Sequence, residues 1–396
     1  MNERLWSIPS RRPLQVAVCM IGLAACIPSA KELAPDAGES TPSPDARTCF
    51  ATEIVQVCLD TPPAQPLELP DLINTDSMCT PVTPEGIYCV VAATNISVVK
   101  SVRATGTRPL VLIASESITI DKNGSIDVGS HSTGASSTGA GADPASFCNG
   151  GAPPTNPDVT GGGGAGGTFV TPGGKGGDGG NSSSSVGGRP ASASSLPALL
   201  RGGLRGGCAG QDGGSAGVRS PGGHGGGAVY LIAQQKIDLM GTISAGGGGG
   251  GGGRLVMDID GDPACSGGGG GGSGGMIGLD APMIVTNTST RIAADGGSGG
   301  GGGTLTTPGE DGSDSLSSNP APGGPAGSPS DGNGGDGSSN TGAPTDGRPG
   351  SIRIMPPSDL GSGGGGGGAA GIIIVRRGSM LKDGDISPLP TTVPGP

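Results

Sequence analysis

Apolar and polar residues alternate along several short stretches of the chain. In residues 227–246, GAVYLIAQQKIDLMGTISAG, the alternate positions include Val229, Leu231 and Ile237. A period of two residues predicts β-strands that bury one face. Gly241 and the β-branched content of the stretch disfavour a helix. We therefore expect three short strands separated by tight turns.

The same pattern recurs along the chain. It is clear in 87–106, 108–129 and 274–296, looser in 350–361 and 371–387, and the clearest copies close on Ile126, Ile243 or Ile292. A repeat of about 20 residues is typical of proteins whose units bury their apolar faces by stacking. The predicted fold class is therefore all-β, a right-handed parallel β-helix (β-solenoid) with long glycine-rich insertions. A β-sandwich built from hairpins is an alternative explanation of the same alternation.

The repeat resembles those of secreted bacterial β-solenoid proteins related to filamentous-haemagglutinin-type adhesins and to pectin-lyase-like β-helices. It is also similar to repeats of glycine-rich bacterial surface lipoproteins. The resemblance covers roughly residues 65–130, 226–296 and 350–388. It implies a fold and an extracellular setting, and it implies no activity.

Glycine dominates the chain between these stretches. The 396 residues include 87 Gly and 36 Pro, far above the usual shares of roughly 7% and 5%. The tracts 131–225 and 297–349 are too long for ordinary loops, and Gly/Ser-rich chain is disordered by default. Alternatively, glycine allows close packing of left-handed polyproline II helices, and the tracts resemble the glycine-rich lattice at the tip of some phage adhesins. A net charge of −11 argues against a nucleic-acid partner.

The amino terminus has the features of an export signal. Arg4, Arg11 and Arg12 precede an apolar stretch, 16–24, that is too short to span a bilayer. The following Leu-Ala-Ala-Cys resembles the bacterial lipobox, which implies that Cys26 is lipidated and begins the mature protein. A plain signal peptide with a chance cysteine is the alternative. The lipid would anchor the protein at the outer membrane or cell surface, so the membrane is one predicted partner.

These features predict a chain of eight parts. They are a signal peptide (1–25), an anchor and Pro/Ala/Ser-rich tether (26–48), a Cys-rich cap with the first strands (49–130), a Gly-rich insertion (131–225), central strands (226–296), a second insertion (297–349), the last strands (350–388) and a tail (389–396).

The cysteines also indicate export. Cys49, Cys58, Cys79 and Cys89 lie close together in sequence, a density typical of small oxidised modules. We favour the pairs Cys49–Cys58 and Cys79–Cys89, although four cysteines allow three connectivities. In the glycine-rich region Cys148 and Cys208 are further disulfide candidates. Cys265 makes the number odd, so one thiol stays reduced or pairs between chains.

One acidic segment has the residue types of a calcium site. Asp258, Asp260 and Asp262 alternate around a glycine and could offer three carboxylates to Ca²⁺. The spacing departs from that of an EF-hand loop, and a solvated acidic turn is the alternative. No other cofactor is expected.

Few residues suggest catalysis. Asp238, Asp280 and Asp295 could supply the acid and base of a β-helix enzyme that cleaves extracellular polysaccharide. His131 and His224 lie in glycine-rich loops and are expected to be solvated. Sugar-binding sites usually contain aromatic rings, which are scarce here. We therefore expect a non-catalytic structural or adhesive protein that binds a polysaccharide or another surface protein, with the carbohydrate-active enzyme as the alternative.

Overall fold

A computed structural model shows most of the chain that follows the predicted tether. It describes residues 48–396 except 53, 133–137, 149–150, 156–159, 181–183, 194, 196–200, 216, 258–262, 317, 341, 354–358, 377–382 and 394–396. The predicted signal peptide, Cys26 and the three candidate calcium ligands lie outside the described residues. Residues Arg47–Pro396 belong to one unit.

The regular structure consists of short strands. Arg201 alone has helical geometry, and no complete helix lies within the described residues. The strands are β1 (Thr48–Ala51), β2 (Gln56–Leu59), β3 (Leu67–Glu68), β4 (Leu72–Asn74), β5 (Val82–Thr83), β6 (Cys89–Val98), β7 (Ser101–Thr105), β8 (Leu110–Ile120), β9 (Ser125–Asp127), β10 (Ala228–Ala233), β11 (Lys236–Leu239), β12 (Thr242–Ser244), β13 (Leu255–Met257), β14 (Pro263–Cys265), β15 (Met276–Asp280), β16 (Met283–Thr286), β17 (Arg291–Ala293), β18 (Ile352–Arg353), β19 (Asp359–Leu360), β20 (Ile372–Arg376), β21 (Asp385–Ser387) and β22 (Thr391–Val393).

Two parallel sheets contain most of these strands. The larger has nine strands, in the order β16-β11-β8-β10-β15-β20-β22, with β6 also paired to β8 and β3 to β6. The smaller has six strands, in the order β21-β17-β12-β9-β7-β4. Small antiparallel sheets are formed by β1-β2-β5, by β13 with β14 and by β18 with β19.

The register of the parallel strands confirms the alignment of the sequence repeats. Leu231 on β10 lies between Leu112 and Leu279 of the neighbouring strands. In the smaller sheet Ile243 lies between Ile126 and Ile292 in the same way. All six side chains are buried in one apolar cluster formed by both sheets. The alternation in the sequence therefore identifies the buried face correctly.

The predicted right-handed parallel β-helix is nevertheless wrong. In a β-helix the strands enclose the core and their outer face meets solvent, whereas every residue of β10, β15 and β20 is buried. Sheets covered on both faces are typical of α/β proteins, although here helices do not provide the cover. The second face packs against apolar residues of 50–82 and against Phe169 and Leu204 of the glycine-rich chain. Parallel pairing also contradicts the hairpin sandwich.

Glycine-rich chain forms the other half of the interior. Segment 267–275 donates backbone hydrogen bonds of 2.8–3.0 Å to three neighbouring segments, with every third N–H directed to the same one. Its carbonyl groups accept hydrogen bonds from three more segments. A period of three residues is that of a polyproline II helix. We call these seven segments the glycine lattice: 161–167, 208–214, 220–226, 245–253, 267–275, 296–301 and 363–369.

The glycines of the central segment 267–275 leave no space for a side chain. A Cβ atom on Gly268 would lie 2.0 Å from the carbonyl oxygen of Gly300, and one on Gly271 would lie 2.2 Å from that of Gly297. Both distances are far below van der Waals contact. The expectation of disordered glycine-rich insertions is therefore wrong for the lattice segments, because their backbones are buried and hydrogen-bonded to each other.

Replacing one lattice glycine should destabilise the whole protein. We expect Gly268→Ala to lower the free energy of unfolding by about 2 kcal/mol or more, because the methyl group forces two backbones apart. The matched control is Gly342→Ala, since no atom lies within 4 Å of a Cβ built there. Urea unfolding of both variants measures the difference, and equal effects would contradict close packing in the lattice.

Candidate binding site

A cavity of about 70 Å³ opens at one side of the glycine lattice. Two lattice segments, 161–167 and 208–214, supply part of its wall. Residues that flank these segments and two further stretches, around 147–148 and 190–192, supply the rest. The lining side chains are those of Phe147, Cys148, Thr168, Phe169, Pro190, Ala191, Ser192, Arg205, Cys208, Ala209 and Gln211.

Arg205 is the charged residue of this cavity. Its guanidinium carbon lies 4.0 Å from the centre of the Phe147 ring and 5.6 Å from that of Phe169. Only 5% of the residue is exposed. A cation close to aromatic faces is attracted by the ring quadrupoles. The two rings therefore hold the guanidinium in place.

The positive charge of Arg205 has no counter-charge within the described part of the chain. Its buried Nη1 atom makes no hydrogen bond to a described residue, and no described carboxylate forms an ion pair with it. Burial lowers the pKa of Arg205, since desolvation disfavours the cation. Buried charges in proteins are ordinarily paired. This site therefore differs from an ordinary structural ion pair.

A disulfide bond fixes one wall of the cavity. Cys148 and Cys208 are bonded across a sequence separation of 60 residues. The bond joins the turn that contains Phe147 to lattice segment 208–214, which begins three residues after Arg205. Gln211 on the same segment is held at both ends of its amide, because Oε1 accepts a hydrogen bond from Ala165 N and Nε2 donates one to Arg189 O. The cavity is therefore preformed.

The carboxylates considered for catalysis do not come together. Asp238 lies at the surface, where its Oδ2 is 2.7 Å from Lys236 Nζ. Asp280 is buried on β15, in register with Arg376 of β20. Asp295 is buried elsewhere and accepts a hydrogen bond of 2.6 Å from Ser387 Oγ. Burial raises the pKa of Asp295 to about 7, but its carboxyl group does not line the cavity around Arg205.

His131 bridges two carboxylates instead of lying in solvent. Its Nε2 is 2.9 Å from Asp127 Oδ2, and its Nδ1 is 3.5 Å from Asp314 Oδ2. Arg103 Nη1 also lies 3.0 Å from Asp127 Oδ2. The hydrogen bonds to Asp127 and Asp314 raise the pKa of His131 to about 9. It is therefore an imidazolium at neutral pH, unsuited to act as a general base.

His224 is half exposed, as expected of a loop histidine, and it is also ion-paired. Its Nδ1 lies 2.7 Å from Asp143 Oδ2, and this hydrogen bond raises the pKa of His224. The other oxygen of Asp143 accepts a hydrogen bond from the backbone N–H of Gly225. Asp143 is thus attached to lattice segment 220–226 through both of its oxygens.

Three disulfides are present in the described residues. Cys49–Cys58 and Cys79–Cys89 are the pairs that the sequence favours, and Cys148–Cys208 joins the remaining two candidates. Cys265 is buried on β14 outside these three bonds. The candidate calcium ligands Asp258, Asp260 and Asp262 are not described, and the described residues contain no cluster of three metal-ligating side chains.

Sequence reasoning missed the Arg205 cavity. Its two phenylalanines are separated in sequence and meet only because the lattice and the disulfide bring their turns together. The available signal was that two of the three phenylalanines of the chain lie in glycine-rich tracts.

Comparisons with protein-family models, with curated proteins and with solved structures give no match. Among the described residues there is no helix with the length and apolar content needed to span a membrane.

The His131 bridge predicts a specific pH dependence of stability. The pKa of His131 in the folded protein, about 9, exceeds the ordinary histidine value of 6.5. The contribution of the charged His131 to stability is therefore complete below pH 6.5 and is lost as the pH rises through 9. Burial raises the pKa values of Asp127 and Asp314, but their hydrogen bonds with His131 lower both values overall. The contribution of these two carboxylates to stability is therefore lost in acid. We expect His131→Gln to reduce the free energy of unfolding by about 3 kcal/mol at pH 6 and by much less at pH 10.

Denaturant unfolding of the wild type and of His131→Gln between pH 5 and pH 10 measures this difference. His224→Gln is the matched control, since His224 is half exposed and has one carboxylate partner, and it should have a smaller effect. A His131→Gln penalty that stays constant over this range would contradict the charged bridge.

Proposed function

We propose that this protein is an exported, lipid-anchored protein of the outer membrane or cell surface that has a structural or adhesive role and no catalytic activity. The observation that carries this proposal is the glycine lattice. Its central segment is held by backbone hydrogen bonds to six neighbours, which leaves little freedom for the lids and hinges of many enzymes. Such a body is suited to hold surface groups at fixed positions.

The preformed cavity around Arg205 supports a binding role. Rigid sites bind with a smaller entropy cost than sites that must first become ordered. The Cys148–Cys208 bond and the fixed amide of Gln211 provide this rigidity. A scaffold of this kind can bind the same surface repeatedly without changing shape.

The separation of Asp238, Asp280 and Asp295 supports a role without catalysis. Glycoside hydrolysis requires two carboxyl groups on opposite sides of one bond. Here one carboxylate is paired at the surface, and the other two are buried at different places in the larger sheet and beside the smaller sheet. The three carboxyl groups therefore lie in three separate environments.

The disulfides support export. Three disulfides among the described residues are typical of proteins that fold in an oxidising compartment. Together with the lipobox-like sequence that ends at Cys26, they favour a location outside the cytoplasm.

A cell-binding assay tests this proposal. Bacteria that express the wild type should hold the protein in the membrane fraction and adhere to surfaces coated with polysaccharide, without producing new polymer ends. Bacteria that express Cys26→Ala should release the protein and lose adhesion, because the thiol that receives the lipid is gone. Cys19→Ala, which changes a cysteine inside the signal peptide, is the control.

Two results would contradict the proposal. One is membrane retention of Cys26→Ala equal to that of the wild type. The other is the appearance of polymer ends that Asp238→Asn abolishes while the melting temperature is unchanged, because a carboxylate needed for rate but not for folding is an acid or a base.

A further inference from the structure

The charge of Arg205 requires an explanation beyond folding. A buried cation without an anionic partner is strongly destabilising, and the described residues offer it only aromatic rings. A structural role alone would be served as well by an apolar side chain between Phe147 and Phe169. The charge therefore indicates a ligand that supplies the missing anion.

The arrangement of the rings defines how that ligand would approach. The guanidinium group is planar, and its N–H donors lie in its plane. Hydrogen-bond acceptors therefore bind at its edge, while its central carbon lies over the rings of Phe147 and Phe169. Carboxylate groups bind guanidinium edges through two parallel hydrogen bonds, and other oxyanions do so similarly.

The size of the cavity limits what can enter. About 70 Å³ is available, whereas one water molecule needs roughly 10–15 Å³ by the same kind of measure. The cavity therefore accommodates a group of a few heavy atoms, such as a carboxylate or a sulfate, and excludes a complete sugar ring. The rest of a larger ligand would lie outside, near the exposed side chains of Ser192 and Ala209.

The sequence segment that contains Arg205 is basic although the protein is acidic. Residues 184–220 contain Arg189, Arg201, Arg205 and Arg219 but only one acidic residue, Asp212, in a chain of net charge −11. A positive segment on an acidic protein favours the approach of an anionic ligand to this side.

We propose that the cavity around Arg205 binds a carboxylate or sulfate group of an acidic polysaccharide. The inference rests on the binding role proposed above and gives that role a ligand class. The anionic group pairs with the edge of the Arg205 guanidinium, between the two phenylalanine rings, and the polymer follows the surface outside the cavity. Neutral polysaccharides lack the group that neutralises the buried charge, so they do not bind here.

Calorimetric titration of the full-length protein in detergent tests this inference, with chloride used to keep the ionic strength constant. The probes are sodium acetate, sodium sulfate, polygalacturonate, chondroitin sulfate and neutral dextran. The wild type should bind both acidic polymers and, more weakly, the free anions, and it should not bind dextran.

Two variants locate the binding to this cavity. Arg205→Gln removes the charge, and Ala209→Phe blocks the cavity from its exposed side while it leaves Arg205 in place. Each should weaken binding of the acidic polymers by about tenfold or more, the loss expected for one or two charge-assisted hydrogen bonds. Arg254→Gln, which removes the charge of an exposed arginine outside the cavity, should bind like the wild type. If Arg205→Gln does not fold, Ala209→Phe alone decides the matter.

Several results would overturn the inference. Binding of the free anions without binding of the polymers would make the cavity a site for small anions. Binding that is unchanged in both cavity variants would place the ligand elsewhere. If no probe binds while cells that carry the protein still adhere to polysaccharide-coated surfaces, the ligand class is wrong and the adhesive role remains supported. If adhesion is also absent, both proposals fail.

Discussion

The backbone hydrogen bonds between glycine segments are the interaction on which the rest of this structure depends. They bring neighbouring backbones so close that a Cβ atom at Gly268 or Gly271 would overlap a carbonyl oxygen. The strands continue this arrangement. Lattice segment 220–226 leads into β10, 245–253 follows β12, and 267–275 leads into β15. The repeats 227–246 and 274–296 thus enter from the lattice, add strands to the two parallel sheets and return to the lattice.

The acidic composition has a structural explanation in this arrangement. At the edge of the lattice some backbone N–H groups have no carbonyl oxygen of a neighbouring segment as acceptor. Buried or half-buried N–H groups need an acceptor. Aspartate side chains supply it: Asp314 Oδ1 accepts from Gly249 N, Asp311 Oδ1 from Gly252 N, and Asp212 Oδ1 from Gly222 N. His131 pairs with Asp314, and His224 pairs with Asp143, which accepts in the same way from the backbone N–H of Gly225. The aspartates of the glycine tracts therefore complete the lattice, and Arg205 is the exception whose charge points to a ligand.

The strands could be predicted from the sequence because side chains mark them. Alternation identified the buried positions of β10 to β12. The register could not be read from the sequence, and the structure supplies it by placing Ile243 between Ile126 and Ile292. The fold class was not predicted, because alternation does not reveal that Tyr230 and its neighbours on the second face are also covered. Order in the glycine tracts has no side-chain pattern, since its hydrogen bonds join segments distant in sequence. The Arg205 cavity was missed for the same reason.

The central claim is that the glycine tracts are ordered by backbone hydrogen bonds, and amide hydrogen exchange measures this directly. Peptides from 245–253 and 267–275 should exchange as slowly as peptides from β10. The N–H groups of these glycine segments are buried and donate backbone hydrogen bonds, as the N–H groups of a sheet strand do. Mass spectrometry of peptic fragments after exchange times from seconds to hours gives both rates from one sample. Complete exchange of the glycine segments within seconds, while β10 remains protected, would show that these tracts are flexible chain and would contradict the account.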